Sequence, residues 1–81
     1  MSKPTPKEIE EGLAHGGWYE RMKWAERPDW GPPTPEQIER GLTDEFYQVR
    51  KAWAERMDYT PTPKQTERGL TDESWWVREA W

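Results

Sequence analysis

The segment Glu39-Arg40-Gly41-Leu42-Thr43-Asp44-Glu45 recurs without change as Glu67-Arg68-Gly69-Leu70-Thr71-Asp72-Glu73, and a diverged copy stands at Glu10-Glu11-Gly12-Leu13-Ala14-His15-Gly16. A chain that repeats itself in sequence should repeat itself in structure. Aligning the copies puts Thr5-Pro6, Thr34-Pro35 and Thr62-Pro63 at the heads of three units, spaced 29 and then 28 residues apart. That period belongs to stacked helical arrays, whose units bury their apolar sides against one another. The expected fold is all-α: a short α-solenoid of about three two-helix repeats in a single domain, with repeat 1 over 5–33, repeat 2 over 34–61 and a truncated repeat 3 over 62–81.

Each unit opens with a capping box. Thr5, Thr34 and Thr62 stand as N-caps, proline follows at the first helical position, and Glu8, Gln37 or Gln65 lies three residues after the cap. A helix is expected to begin at all three. Its apolar positions are few, Ile9 with Leu13 and Ile38 with Leu42, and Thr66 with Leu70 in the third unit. Gly12, Gly41 and Gly69 fall where this helix either ends or presses against a neighbour.

Thr43-Asp44 and Thr71-Asp72 read as second N-caps, with Glu45 and Glu73 in the first turn of a longer helix. In unit two, Phe46, Val49, Ala52, Trp53 and the stem of Arg56 share one helical face, which is the expected core face. Prolines end it at Asp58-Tyr59-Thr60-Pro61-Thr62-Pro63, and at Pro28-Asp29-Trp30-Gly31-Pro32-Pro33 in unit one. Trp24, Trp53 and Trp81 recur in register and stand as the expected buried anchors.

Composition matters because so little aliphatic residue is available. Charged residues make up 35% of the chain, yet seven Trp, three Tyr and one Phe supply large apolar areas in place of Leu, Ile and Val. With 81 residues, three units stand near the minimum for independent stability. There is no cysteine, so neither disulfides nor thiolate metal sites arise, and with no apolar run of membrane length and no signal-peptide core the expected location is cytoplasmic. The net charge of −4, with both signs interleaved, disfavours a phosphate backbone as main partner.

Chemistry finds little support. The one imidazole, His15, cannot build a zinc site without carboxylates for every other ligand, and no nucleophile, base and orienting group assemble around it. No catalytic residue, metal or cofactor is expected. Asp44 and Asp72 read as caps, and the recurring Glu10, Glu39 and Glu67 with Arg21, Arg50 and Arg78 read either as structural ion pairs between helices or as charged rows that grip a partner.

The aromatic positions carry more. With Val49 taken as the core direction and about 100° per residue, Tyr47 points roughly 160° away. Trp18 and Trp75 occupy the same position in the other units, and Tyr19, Gln48 and Trp76 stand next to them. A strip of large aromatics where a solvated helix would carry polar groups is an interface signal. The candidate partner-binding residues are therefore Trp18, Tyr19, Tyr47, Gln48, Trp75 and Trp76 with Arg50 and Arg78, unless the strip packs between repeats. The last helix, bearing Trp76 and Trp81, has no following unit, so self-association through the C-terminal repeat is a further expectation.

The run Thr34-Pro35-Glu36-Gln37-Ile38-Glu39-Arg40-Gly41-Leu42-Thr43-Asp44, followed by Val49-Arg50-Lys51-Ala52-Trp53-Ala54, resembles the leucine-rich-variant and HEAT-like helical repeats of bacterial and phage proteins. Val77-Arg78-Glu79-Ala80-Trp81 repeats the second part, whereas unit one departs from it with His15-Gly16-Gly17 and Glu20-Arg21-Met22-Lys23. The resemblance implies a scaffold for protein-protein contact and no enzyme. A small phage-type inhibitor of a host nucleic-acid-processing system, for example an anti-CRISPR protein, is the narrower alternative, acting in the host cytoplasm. An engineered repeat scaffold without a native partner also fits the near-identity of the units.

Overall fold

The structure is a computed structural model and describes residues 3–81. Six helices and no strand occur among these residues: α1 (Pro6–Ala14), α2 (Trp18–Glu26), α3 (Pro35–Leu42), α4 (Tyr47–Glu55), α5 (Pro63–Leu70) and α6 (Trp75–Ala80). Each copy of the sequence repeat contributes two of them. None is long and apolar enough to cross a membrane.

The first helix of every unit starts where its capping box lies. Thr5, Thr34 and Thr62 accept from the backbone N–H of Glu8, Gln37 and Gln65, whose side chains return to the cap N–H at 2.8, 2.8 and 2.9 Å. Two otherwise orphaned donors are satisfied at each start.

The second helices begin later than the Thr-Asp pairs imply. Thr43 caps the C-terminus of α3 instead, its hydroxyl donating to the Glu39 carbonyl at 2.8 Å, and Thr71 does the same to Glu67 at 2.9 Å. Asp44 accepts from the Phe46 N–H at 2.9 Å and Asp72 from the Ser74 N–H at 2.8 Å, a turn that delays helix entry by two residues. Glu45 and Glu73 thus precede α4 and α6 rather than forming their first turns. Phe46 becomes the N-cap of α4 with extended backbone, so helical stepping does not apply to it, and its ring is exposed rather than in the core.

The remainder of the expected core face is buried. Val49, Ala52 and Trp53 join Leu13, Ala25, Trp30, Ile38 and Leu42 in one apolar cluster, with Trp24, Tyr59 and Trp81 partly buried against it. Within units, α1 packs on α2, α3 on α4 and α5 on α6; between them, α2 packs on α4 and α4 on α6. The molecule extends over 38 × 24 × 18 Å.

The connections out of α2 and α4 share a construction. Trp30 Nε1 donates to the Trp24 carbonyl and the Tyr59 hydroxyl to the Trp53 carbonyl, both at 2.8 Å, so an aromatic six residues on satisfies a helix C-terminus. Arg27 pairs with Asp29 and Arg56 with Asp58, each guanidinium also lying over the tryptophan ring three residues earlier. Arg56 reaches across to the Ala25 and Trp30 carbonyls of the preceding unit at 2.9 and 3.1 Å, which ties the second loop to the first.

Candidate functional site

The first turns of α2, α4 and α6 bring six aromatic rings to one set of helix ends. Trp18, Tyr19, Phe46, Tyr47, Trp75 and Trp76 are each between 37 and 55% exposed. The rings support one another: Trp18 lies 6.2 Å from Phe46 of the next unit, Trp18 meets Tyr19 edge-on at 5.8 Å, and Trp75 meets Trp76 edge-on at 4.6 Å. Five of the six are residues singled out from the sequence; Phe46 is the addition.

The base that holds these rings is polar and recurs. Arg21 donates through Nε and Nη2 to Asp44 at 2.8 and 3.2 Å, and Arg50 in the same way to Asp72 at 2.9 and 3.0 Å. The third nitrogen turns back within its own unit, from Arg21 to the Gly16 carbonyl at 2.8 Å and from Arg50 to the Asp44 carbonyl at 2.7 Å. One arginine therefore fastens the turn of its own unit to the aspartate of the next, and that aspartate also sets the entry of its own second helix. Burial pushes the Asp72 carboxyl up, but the hydrogen bonds from Arg50 and the Ser74 amide and the charges of Arg50 and Arg78 outweigh it, holding the group below the ordinary aspartate range.

These contacts decide where the two candidate arginines stand. The Arg50 and Asp72 side chains are each 11% exposed, and Arg50 is fully engaged within the fold. Arg78 spends one nitrogen on the Asp72 carbonyl and presents the rest of its guanidinium to solvent. Gln48 is half-buried, and its Oε1 is buried without a hydrogen-bond partner among the described residues. Of the candidate residues, Trp18, Tyr19, Tyr47, Trp75, Trp76 and Arg78 are exposed, whereas Gln48 and Arg50 are partly buried.

A second ladder joins the first helices. Glu10 accepts from Gln37 Nε2 at 3.1 Å and from Arg40 at 3.0 Å; Glu39 accepts from Gln65 at 3.1 Å and from Arg68 at 2.9 Å. The bonds from Gln37 and Arg40 hold Glu10 below the ordinary glutamate range, and those from Arg68 and Gln65 do so for Glu39. Of the recurring charges, Glu10 and Glu39 pair with Arg40 and Arg68, and Arg21 and Arg50 with Asp44 and Asp72, each across to the next unit; the glutamate row does not pair with the Arg21, Arg50 and Arg78 row.

The larger concavities are open rather than enclosed. A groove of about 480 Å³ lies between the ends of α2 and α4, lined by Ala25, Arg27, Ala52, Arg56 and the exposed Met57. Its arginines are already paired with Asp29 and Asp58. No cluster of His, Cys, Asp and Glu among the described residues is arranged to hold a metal ion.

A further sequence match joins the ends of the second helices: Trp24-Ala25-Glu26-Arg27-Pro28-Asp29-Trp30 corresponds to Trp53-Ala54-Glu55-Arg56-Met57-Asp58-Tyr59. It builds the loops opposite the aromatic edge. Phe46 could have been placed on that edge only by recognising that Asp44 would hold its amide. No protein-family model, curated protein or solved structure significantly matches the chain.

Proposed function

We propose that the chain is a non-enzymatic protein-protein interaction module, three HEAT-like helix pairs stacked as a short α-solenoid, that docks another protein on the aromatic edge. The observation that carries this reading is the collection of six partly exposed rings on the first turns of α2, α4 and α6. Large, rigid side chains that are half desolvated before binding are the favoured anchors of interface hot spots, because little rotamer freedom remains to be lost.

A protein partner is favoured over a nucleic acid by the state of the cations. Arg21 and Arg50 are bound to Asp44 and Asp72, Lys51 pairs with Glu55, and the chain carries a net charge of −4. Lys23, 5.4 Å from the Tyr19 ring, and Arg78 remain exposed near the rings, a small positive charge with which to hold a phosphate backbone. The stacking reading rests on the packing of α4 between α2 and α6 and on the two ladders that join successive units.

The test is the double substitution Tyr47→Ala with Trp75→Ala. Helical circular dichroism and melting temperature should stay near wild type while an affinity-captured partner, identified by mass spectrometry, is lost. Unfolding of the variant would make the rings part of the core, and unchanged capture would remove the edge from the interaction.

A further inference from the structure

We infer, building on the reading of the aromatic edge as a protein-docking surface, that the docked segment of the partner is rich in arginine. Its guanidinium groups lie on the exposed rings of Trp18 and Tyr47 and meet the carboxylates of Glu45 and Glu73.

These rings are open for a reason internal to the stack. Tyr47 belongs to the middle unit, with α2 and α6 packed on either side of α4, and it is still 37% exposed. Trp18, in the same position of the unit before, is also 37% exposed, and Phe46 beside it is 38% exposed. Neighbouring units pack below this edge and leave its rings uncovered.

Elsewhere the chain lays its own cations on its rings. Arg56 lies over Trp30 at 4.0 Å, Arg27 over Trp24 at 4.2 Å, Lys23 over Tyr19 at 5.4 Å and Arg21 over Phe46 at 5.8 Å. A guanidinium suits such a contact, being planar, weakly hydrated and attracted to the negative face of the ring. Trp18 and Tyr47 have no cation over them among the described residues.

Each of these two rings has an unpaired carboxylate on the turn brought beside its helix. Arg21, one turn beyond Trp18, holds Asp44 and with it the turn that carries Glu45; Arg50, one turn beyond Tyr47, does the same for Asp72 and Glu73. Glu45 and Glu73 are exposed, precede α4 and α6, and have no ion-pair or hydrogen-bond partner among the described residues. Glu20, also exposed, adds a third carboxylate. The exposed cations stand on the outer helices, Lys23 over Tyr19 and Arg78 on the Asp72 carbonyl, whereas Arg50 and Lys51 of α4 are paired with Asp72 and Glu55. The centre of the edge therefore combines open ring faces with negative charge, which attracts a cation and repels an acidic segment.

The probe is a fluorescein-labelled peptide of repeated Arg-Gly-Ser triplets, titrated with the full-length chain and read by anisotropy. A peptide with glutamine in place of every arginine and a single-stranded oligonucleotide are the comparisons. Wild type should bind the arginine peptide at low salt, more weakly as salt rises, and should bind neither comparison. Glu45→Lys with Glu73→Lys should weaken the arginine peptide at least about tenfold, as should Trp18→Ala with Tyr47→Ala. Circular dichroism confirms folding, and Glu45→Gln with Glu73→Gln is the milder pair should the charge reversal unfold. Failure of wild type to bind the arginine peptide, equal binding of the glutamine peptide, indifference to Glu45 and Glu73, or tighter binding of the oligonucleotide would each overturn the inference. The captured partner separates this chemistry from the docking edge itself. A partner lost in Tyr47→Ala with Trp75→Ala but kept in Glu45→Lys with Glu73→Lys leaves the edge in place and removes arginine from it; a partner indifferent to the ring substitutions removes the edge.

Discussion

Gly41 lies under the indole of Trp53, so close that a Cβ at residue 41 would overlap Nε1, Cδ1 and Cε2 of the ring. The same relation joins Gly12 to Trp24 and Gly69 to Trp81. In each unit the first helix gives up a side chain so that the second can lay a tryptophan flat against its backbone. The pairing is the central packing contact of the repeat.

Gly41→Ala should destabilise the protein although it improves helix propensity. Alanine gains about 0.5–1 kcal/mol over glycine inside a helix, whereas overpacking a filled core costs about 1–3 kcal/mol. Trp53 is almost fully buried and has nowhere to go, so the overlap wins. Gly69→Ala should cost less, because Trp81 is only partly buried and can shift. Thermal melts of the two variants decide it; a Gly41→Ala chain as stable as wild type would contradict the packing.

Trp53→Ala should cost about 3–5 kcal/mol, the usual penalty for emptying a large buried aromatic site. A domain of this size has little more than that in total. Denaturant titration should therefore show the variant largely unfolded in water, while Trp76→Ala, which removes an exposed ring, should leave the midpoint nearly unchanged.

The Arg50–Asp72 clamp should outweigh the Arg40–Glu10 pair. Arg50→Met strands a carboxylate that is 11% exposed and is expected to cost about 1–3 kcal/mol. Arg40→Met touches a pair open to solvent on both sides and should cost at most about 1 kcal/mol. Equal losses in denaturant midpoints would show that burial of the clamp carries no weight.

Acid should weaken the fold through the same links. Glu10, Glu39, Asp58 and Asp72 all have carboxyls held below their ordinary ranges by their hydrogen-bonding partners. A depressed folded value means that the stabilisation is complete above the unfolded values, about 3.9 for Asp and 4.3 for Glu, and is lost as pH falls through the folded ones. Melting temperature should hold down to about pH 5 and then decline, with a shallower decline in Arg50→Met. A flat profile down to pH 2 would be incompatible with these ladders.

Tyr59 supplies the alkaline counterpart. Burial raises its phenol to about 12, a rise to which Asp58 adds and which Arg56 only partly offsets. The raised value means that the stabilisation is complete below the unfolded value near 10 and is lost as pH climbs through the folded one. Ultraviolet titration should resolve one of the three tyrosines ionising near 12, and Tyr59→Phe should abolish that late step while also losing the bond to the Trp53 carbonyl. Three tyrosines titrating together would place Tyr59 in water.

The letters alone determined the features for which neighbours within a turn offer one local solution. Thr-Pro followed by Glu or Gln three residues after the threonine starts a helix in all three units, because the cap and its returning side chain are close neighbours in sequence. The spacing of Val49, Ala52 and Trp53 picks the buried side of α4 for the same reason. Tertiary structure decided whatever had two local solutions. Asp44 could cap its own helix from the front or hold the Phe46 amide; the guanidinium of Arg21, arriving from the preceding unit, fixes its carboxylate in the second role and leaves Phe46 outside. Gly41 could end a helix or seat a ring, and only the approach of Trp53 selects between them. Local sequence encodes short-range hydrogen bonds and periodicity, whereas these choices turn on groups more than ten residues away, whose positions exist only once the units have packed.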